Sequence, residues 1–313
     1  MRSRLVIALA LCALFIVPAQ GRACAETWTD IGHDSFAGPL VAPRSQGVVA
    51  ADTALGARGW IFSGLNGLLE KTDADYHTLA VGTLPPDTVE PSVGADGSNH
   101  VSATHIGDLD VYDGKLYAPV EDGNESQGPV SINDPEYQHP YIAVYDARTL
   151  VYLRKYALPL DGQIAGVPWV AVNGPAGEVY TSEWGQPHDR INVYNLSDLS
   201  PKRTISLDYS GLEPNFKLDR IQGAKLLNGA LYATRDDAAK TVFRIDLGTG
   251  AVSRLFSLSP SPAVPAELEG LAVTTTAQGP MLHVMLILHN DFDASFDFRN
   301  IVTELHHFAQ SCV

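Results

Sequence analysis

In residues 104–122, THIGDLDVYDGKLYAPVED, apolar and polar positions alternate on both sides of an Asp-Gly dipeptide. That pattern predicts an inner β-strand, a tight turn at Asp113-Gly114, and a second strand ending in two carboxylates. The unit recurs: DGKLYAPVED at 113–122 matches NGALYATRDD at 228–237 and GEVYTSEW at 177–184. Each copy continues into a third strand (YIAVYDARTL, INVYNLSDL, VFRIDLGTG) and a fourth (VYLRKYALP, KRTISLD, AVSRLFSLS). Four antiparallel strands repeated at roughly fifty residues mark the blade of a β-propeller.

Weaker copies flank these three, at 46–81 and 268–309. The last copy holds only three strands before the chain stops, and TWTDI at 27–31 is left unassigned. A ring closes most simply if that segment supplies the missing outer strand. The expectation is a single all-β propeller of five blades, at about 46–81, 105–159, 166–208, 220–258 and 268–309 plus 26–33. A sixth blade stays open if residues 82–99 hide a degenerate strand. A β-sandwich, which also has many short strands, is disfavoured by the four-strand repeat.

The first 23 residues break the pattern. Arg2 and Arg4 precede thirteen apolar residues, LVIALALCALFIV, and then Pro18. A span across a bilayer needs about 20 residues, so the segment predicts a secretory leader and an exported or periplasmic protein without a membrane anchor. Two cleavage sites are open, after Ala23 and after Ala25, and only the first leaves Cys24 to meet Cys312 in an oxidising compartment. If TWTDI runs antiparallel to IVTELHHFA, those two cysteines are neighbours and a disulfide locks the ring. Asn124 and Asn195 would accept glycans only in a eukaryotic source.

Composition narrows the function. The formal net charge of −15 becomes −18 when Arg2, Arg4 and Arg22 leave with the leader. Such a surface disfavours nucleic acid and anionic membranes and leaves carboxylates for cations. Nothing in the sequence calls for an oligomer, so a monomer is expected. No nucleophile elbow, phosphate-binding loop, dinucleotide fingerprint or HExxH motif occurs.

Turns on one edge of the repeats are tight, whereas connections on the other are long: 82–104, 122–139, 185–190, 209–219, 260–266 and 290–300. Polar residues gather at that elaborated edge. Gln46, His105, Asp108, Asp110, Trp169, Gln222 and Glu269 start inner strands, and Glu121, Glu183, Arg235, Asp236 and His289 end second strands. Blade symmetry directs both sets at the mouth of the central channel, where His105, Asp108, Glu183, Arg235 and His289 are the candidate catalytic residues. Asp108, Glu121, Asp236 and Glu269 are candidate ligands for a hard cation, Ca²⁺ foremost, with a transition metal left open by the two histidines. The run HNDFDASFDF at 289–298 lacks the Gly and terminal Glu of an EF-hand and reads as a weak cation loop.

In DGKLYAPVED, NGALYATRDD, RIDLGTG and ELEGLAV the chain resembles the extracellular propellers that include SMP-30/gluconolactonase, strictosidine-synthase-like proteins and calcium-activated nucleotidases. The resemblance implies one ion, usually calcium, at the channel mouth, and hydrolysis of lactones or phosphoanhydrides in some members. Only Glu269 is a counterpart to the Glu, Asn, Asn, Asp ligand set of the lactonase group. Two functions follow as expectations. One is a metal-dependent hydrolase or lyase on a small or sugar-like substrate, a glycosidase-like carboxylate pair included. The other is a non-catalytic module that binds a glycan or protein partner through its rim loops and Trp60, Tyr137, Trp169 and Trp184.

Overall fold

The computed structural model describes residues 26–40, 42–51, 58–64, 67–84, 91–93, 99–101, 105–121, 140–159, 161–163, 166–185, 187–258, 265–289 and 301–312. It is an all-β, five-bladed propeller of antiparallel sheets. Blade 1 is β2 (Gly47–Ala51), β3 (Gly59–Gly64), β4 (Leu68–Asp73) and β5 (Thr78–Thr83). A small ribbon of β6 (Pro91–Val93) and β7 (Asn99–Val101) follows, where a sixth blade was the alternative. Blade 2 has β8 (His105–Ile106) and β9 (Asp110–Tyr112) inside, then β10 (Lys115–Glu121), β11 (Tyr141–Asp146) and β12 (Tyr152–Ala157). Blade 3 is β13 (Ala171–Asn173), β14 (Glu178–Thr181), β15 (Arg190–Asn195) and β16 (Pro201–Ser206). Blade 4 is β17 (Ile221–Leu227), β18 (Ala230–Arg235), β19 (Thr241–Asp246) and β20 (Val252–Ser257).

Blade 5 contains β21 (Ala266–Thr276), β22 (Gly279–His289) and β23 (Ile301–Cys312), and its outer strand is β1 (Glu26–Ala37). The N-terminal strand thus closes the ring, and it runs beyond the short TWTDI stretch, pairing from Glu26↔Cys312 to Ala37↔Val302. Tyr232 of blade 4 donates to Glu26 at 2.6 Å and Trp28 lies edge-on to Tyr232, tying the start of β1 to the neighbouring blade. Cys24 and the Cys312 side chain lie outside the described residues, as does the leader.

The tight turns have the predicted chemistry. Asp113-Gly114 and Asn228-Gly229 all take positive φ, as a two-residue hairpin turn requires. Alternate strand residues then face adjacent blades, and the core sits in these seams as separate apolar clusters. One joins blades 1 and 2 around Leu69, Ile106 and Tyr145, and another joins blades 3 and 4 around Trp169, Ile221 and Phe243.

The inner strand of blade 2 departs from expectation by splitting at Asp108. Asp108 donates its N–H to Pro168 O at 2.8 Å and accepts from Val170 N at 2.9 Å, so its backbone pairs with blade 3 rather than with its own blade. A similar bond, Gly270 N to Gln46 O at 2.9 Å, links blade 5 to blade 1.

Candidate functional site

The axis is closed at the level of Asp108. A Cβ on Gly47, Gly223 or Gly270 would come within 2.8 Å of the Asp108 residue or of another inner-strand glycine. Only glycines let these inner strands approach so closely. The Asp108 carboxylate fills the gap, accepting from Val48 N at 3.2 Å and from Lys225 Nζ, and both side chains are buried. Asp110 accepts from Val172 N at 2.8 Å and lies in the field of the same lysine. Burial pushes the Asp108 carboxyl up to about 7 against the pull of Lys225, and burial raises Asp110 as well. Asp108, expected at the mouth, is therefore a central pin.

Between blades 4 and 5 the elaborated face carries a second charge cluster. Arg235 donates to Asp219 (2.7 Å) and Asp237 (3.1 Å), and its guanidinium lies over the Phe216 ring. Asp236 accepts from Lys240 Nζ at 2.5 Å and from Leu268 N at 3.1 Å. Glu269 is buried beside them and hydrogen-bonded to Glu267. Burial first, then the charges of Glu267 and Asp236, raise its carboxyl well above the usual range. The structure thus brings Asp236 and Glu269 together between blades 4 and 5.

Asp108 and Asp236 each already hold a lysine ammonium. A cation there would have to displace both lysines, and Ca²⁺ needs six to eight oxygen ligands, so these two carboxylates as placed do not fit it. The side chains of His105, Glu121 and His289 lie outside the described residues. Their backbones place His105 opposite Glu121 at the end of blade 2, and His289 opposite Ile301 at the end of blade 5.

Glu183 stands in a different setting, a cavity of about 170 Å³ on the same face of blade 3, lined by Gly162, Glu183, Pro187, His188, Asp189, Arg190 and Asn192. Its wall is firmly wired. Thr181 Oγ1 donates to Trp169 O at 2.6 Å, Gln163 Nε2 donates to Ser182 O at 3.1 Å, and Asn192 Nδ2 donates to Gly162 O and Gln163 Oε1 at 2.6 and 2.7 Å. His188 is fixed through its backbone by Leu218 O at 2.7 Å and by the Tyr209 hydroxyl at 2.6 Å. Gly162, at φ +91, gives the Arg190 guanidinium room that a Cβ would take.

Against this order, two atoms stand out. Glu183 Oε2 and His188 Nε2 are buried and have no hydrogen-bond partner among the described residues. Burial lowers the His188 imidazole to about 4, opposed by Asp219 and Asp189, so it is neutral at physiological pH. An unsatisfied buried carboxylate oxygen and ring nitrogen each cost about 1–3 kcal/mol, and a ligand with hydroxyl groups would satisfy both.

No protein-family model matches the chain, and no curated protein matches it. Among solved structures it is similar to a GH43 protein, BlXynB, from Bacillus licheniformis, at 12% identity and a TM-score of 0.53, over 90% of this chain and 54% of that one. The chain therefore spans about half the length of that protein. It is also similar to a luciferin-regenerating enzyme, at 13% identity and a TM-score of 0.44, over 89% of this chain and 95% of that one. At 12% identity the likeness to the GH43 protein is one of fold: the propeller read from the blade repeats is shared, and chemistry is not carried with it.

Sequence reading overlooked His188 and the seam between blades 5 and 1. There a groove of about 620 Å³ is lined by Trp60, Tyr76, Thr274, His283, His307 and Asp34, among others. His307 Nε2 lies 3.0 Å from Asp34 Oδ2, His307 Nδ1 lies 2.7 Å from His283 Nδ1, and His283 Nε2 lies 2.7 Å from Thr274 Oγ1. One set of tautomers satisfies every member: Thr274 donates to His283, His283 to His307, and His307 to Asp34. Tyr76 also donates to Asp34, at 2.5 Å. Periodicity does not reveal such a chain, because its members come from blade 1 and from both ends of the sequence.

Proposed function

We propose that this is an exported propeller whose elaborated face binds a small, sugar-like molecule and acts on it as a hydrolase or lyase. The carrying observation is the pair of unsatisfied buried atoms, Glu183 Oε2 and His188 Nε2, in one polar cavity. A substrate hydroxyl or a water seated there donates to either atom, and loss of that proton begins hydrolysis or elimination. Arg190 supplies donors for an anionic or carbonyl oxygen. The cavity is smaller than the roughly 300–1,000 Å³ of a drug-sized pocket, so it takes one polar ring or chain end rather than a whole oligomer. Calcium has no place in this proposal, because Asp108 and Asp236 keep their lysines.

The test is a screen of lactones, glycosides, uronides and phosphoanhydrides with the mature chain, followed by Glu183→Gln and His188→Gln. Loss of about 10²–10⁴ in kcat/KM with an unchanged melting temperature supports the proposal. Activity that both variants retain refutes it. A non-catalytic glycan- or protein-binding module is the second reading, favoured by the pairing already complete at Asp108, Arg235 and Asp236. It predicts saturable binding that either variant abolishes, with no turnover by the parent.

A further inference from the structure

The ring is closed by one pair of strands, β1 on β23, and that pair carries a second unsatisfied site. His33 and His306 are direct cross-strand partners, and Glu304 lies two residues before His306 on the same face. The two imidazoles stack with centroids 4.8 Å apart. Glu304 reaches both: Oε2 is 2.9 Å from His306 Nε2, and Oε1 is 3.6 Å from His33 Nε2. One ligand atom from each of the three residues lies within 4.8 Å of the other two. Zinc holds nitrogen and carboxylate ligands at about 2.0–2.2 Å, which sets tetrahedral ligands about 3.3 Å apart. The 2.9 Å from Glu304 to His306 and the 3.6 Å from Glu304 to His33, made through the two oxygens of one carboxylate, lie on either side of that value.

The fourth observation concerns His306 itself. Its Nδ1 is buried and has no hydrogen-bond partner among the described residues, while Asp30 Oδ2 stands 3.7 Å away. With Nε2 donating to Glu304, Nδ1 is left bare. With Nε2 on a metal, the proton moves to Nδ1 and points at Asp30, giving the carboxylate–histidine–metal arrangement that orients ligating imidazoles. Metal binding thus repairs the defect that the metal-free arrangement leaves. A second group, Asp73, Asp75 and His77, also has three donors in reach, but Asp73 there accepts the N–H groups of Asp75 and His77 at 2.9 Å and forms an ordinary turn.

We propose that His33, Glu304 and His306 bind one divalent transition-metal ion, zinc foremost, with Asp30 orienting His306, and that the ion staples the N-terminal strand to the last blade. Imidazole ligands select against calcium and magnesium. Water completes the coordination, because His33 is 44% exposed. Since the ligands come from both ends of the chain, the ion stabilises the closed ring by mass action.

The experiment is zinc titration of the chelator-treated mature protein by calorimetry, with thermal unfolding and amide exchange of β1 as parallel readouts. The expected result is one zinc per chain at micromolar affinity or tighter, a higher melting temperature, and slower exchange in β1. His33→Ala and His306→Ala remove the binding, Asp30→Asn weakens it about 10–100-fold, and His77→Ala leaves it unchanged. The exposed His33→Ala keeps the test valid if His306→Ala does not fold. No uptake at micromolar zinc, or equal uptake by the parent and His33→Ala, overturns the proposal.

Discussion

His306 and His307 are neighbours in sequence and opposites in circumstance. His307 faces blade 1, where both ring nitrogens are bonded and the chain of donors ends on Asp34. His306 faces blade 4, where one nitrogen meets Glu304 and the other is buried with no hydrogen-bond partner among the described residues. The same contrast recurs at larger scale between the axis, where Asp108 and Lys225 complete each other, and the blade 3 cavity, where Glu183 and His188 do not. Buried polar groups that are fully paired belong to the fold, whereas those left bare await something outside it.

The contrast predicts where substitution is costly. Removing Lys225 leaves the buried Asp108 without its cation, so Lys225→Met lowers stability by about 3–5 kcal/mol in denaturant unfolding, and Asp108→Asn/Lys225→Met recovers much of the loss. A double variant as unstable as the single would deny that the axis is a paired unit. At the two histidines, His307→Ala strips His283 and Asp34 of a partner and costs about 2–3 kcal/mol. His306→Ala in metal-free buffer removes a bare nitrogen and costs less, about 1 kcal/mol, by the same measurement.

Acid resolves a smaller difference. Burial holds His188 near 4 and His283 near 3, and both are almost fully inside. An unfolded histidine takes its proton near 6.5, so each contributes stability that is present above about 6.5 and lost as the pH falls toward its folded value. The loss is at most about 3 kcal/mol for His188 and about 5 kcal/mol for His283. Unfolding measured between pH 7 and 4 falls steeply in the parent and less steeply in His188→Gln. An identical slope in the two would show that His188 is charged in the folded state.

Much of this architecture was legible in the sequence, because blade chemistry is local. Asp113-Gly114, Asn228-Gly229 and the alternating strands around them dictate hairpins wherever they occur, and the three-strand remainder at the C-terminus asks for TWTDI. The face bearing Glu183, Asp236 and Glu269 was legible too, since loop length shows which edge is elaborated. Partnership was not. Whether Asp108 points into the mouth or pins the axis depends on Gly47, Gly223, Gly270 and Lys225, which lie in three other blades. His33 and His306 are 273 residues apart and meet only through the register of β1 on β23.

The most direct test of the difference between paired and bare groups is Glu183→Gln, measured for unfolding free energy and for binding of the best ligand from a sugar and lactone panel. A bare carboxylate oxygen contributes nothing to folding, so the variant should match or slightly exceed the parent in stability while binding falls by at least about tenfold. Retained binding together with a loss of more than about 1 kcal/mol would place Glu183 among the residues that hold the fold, and the cavity would not be a site.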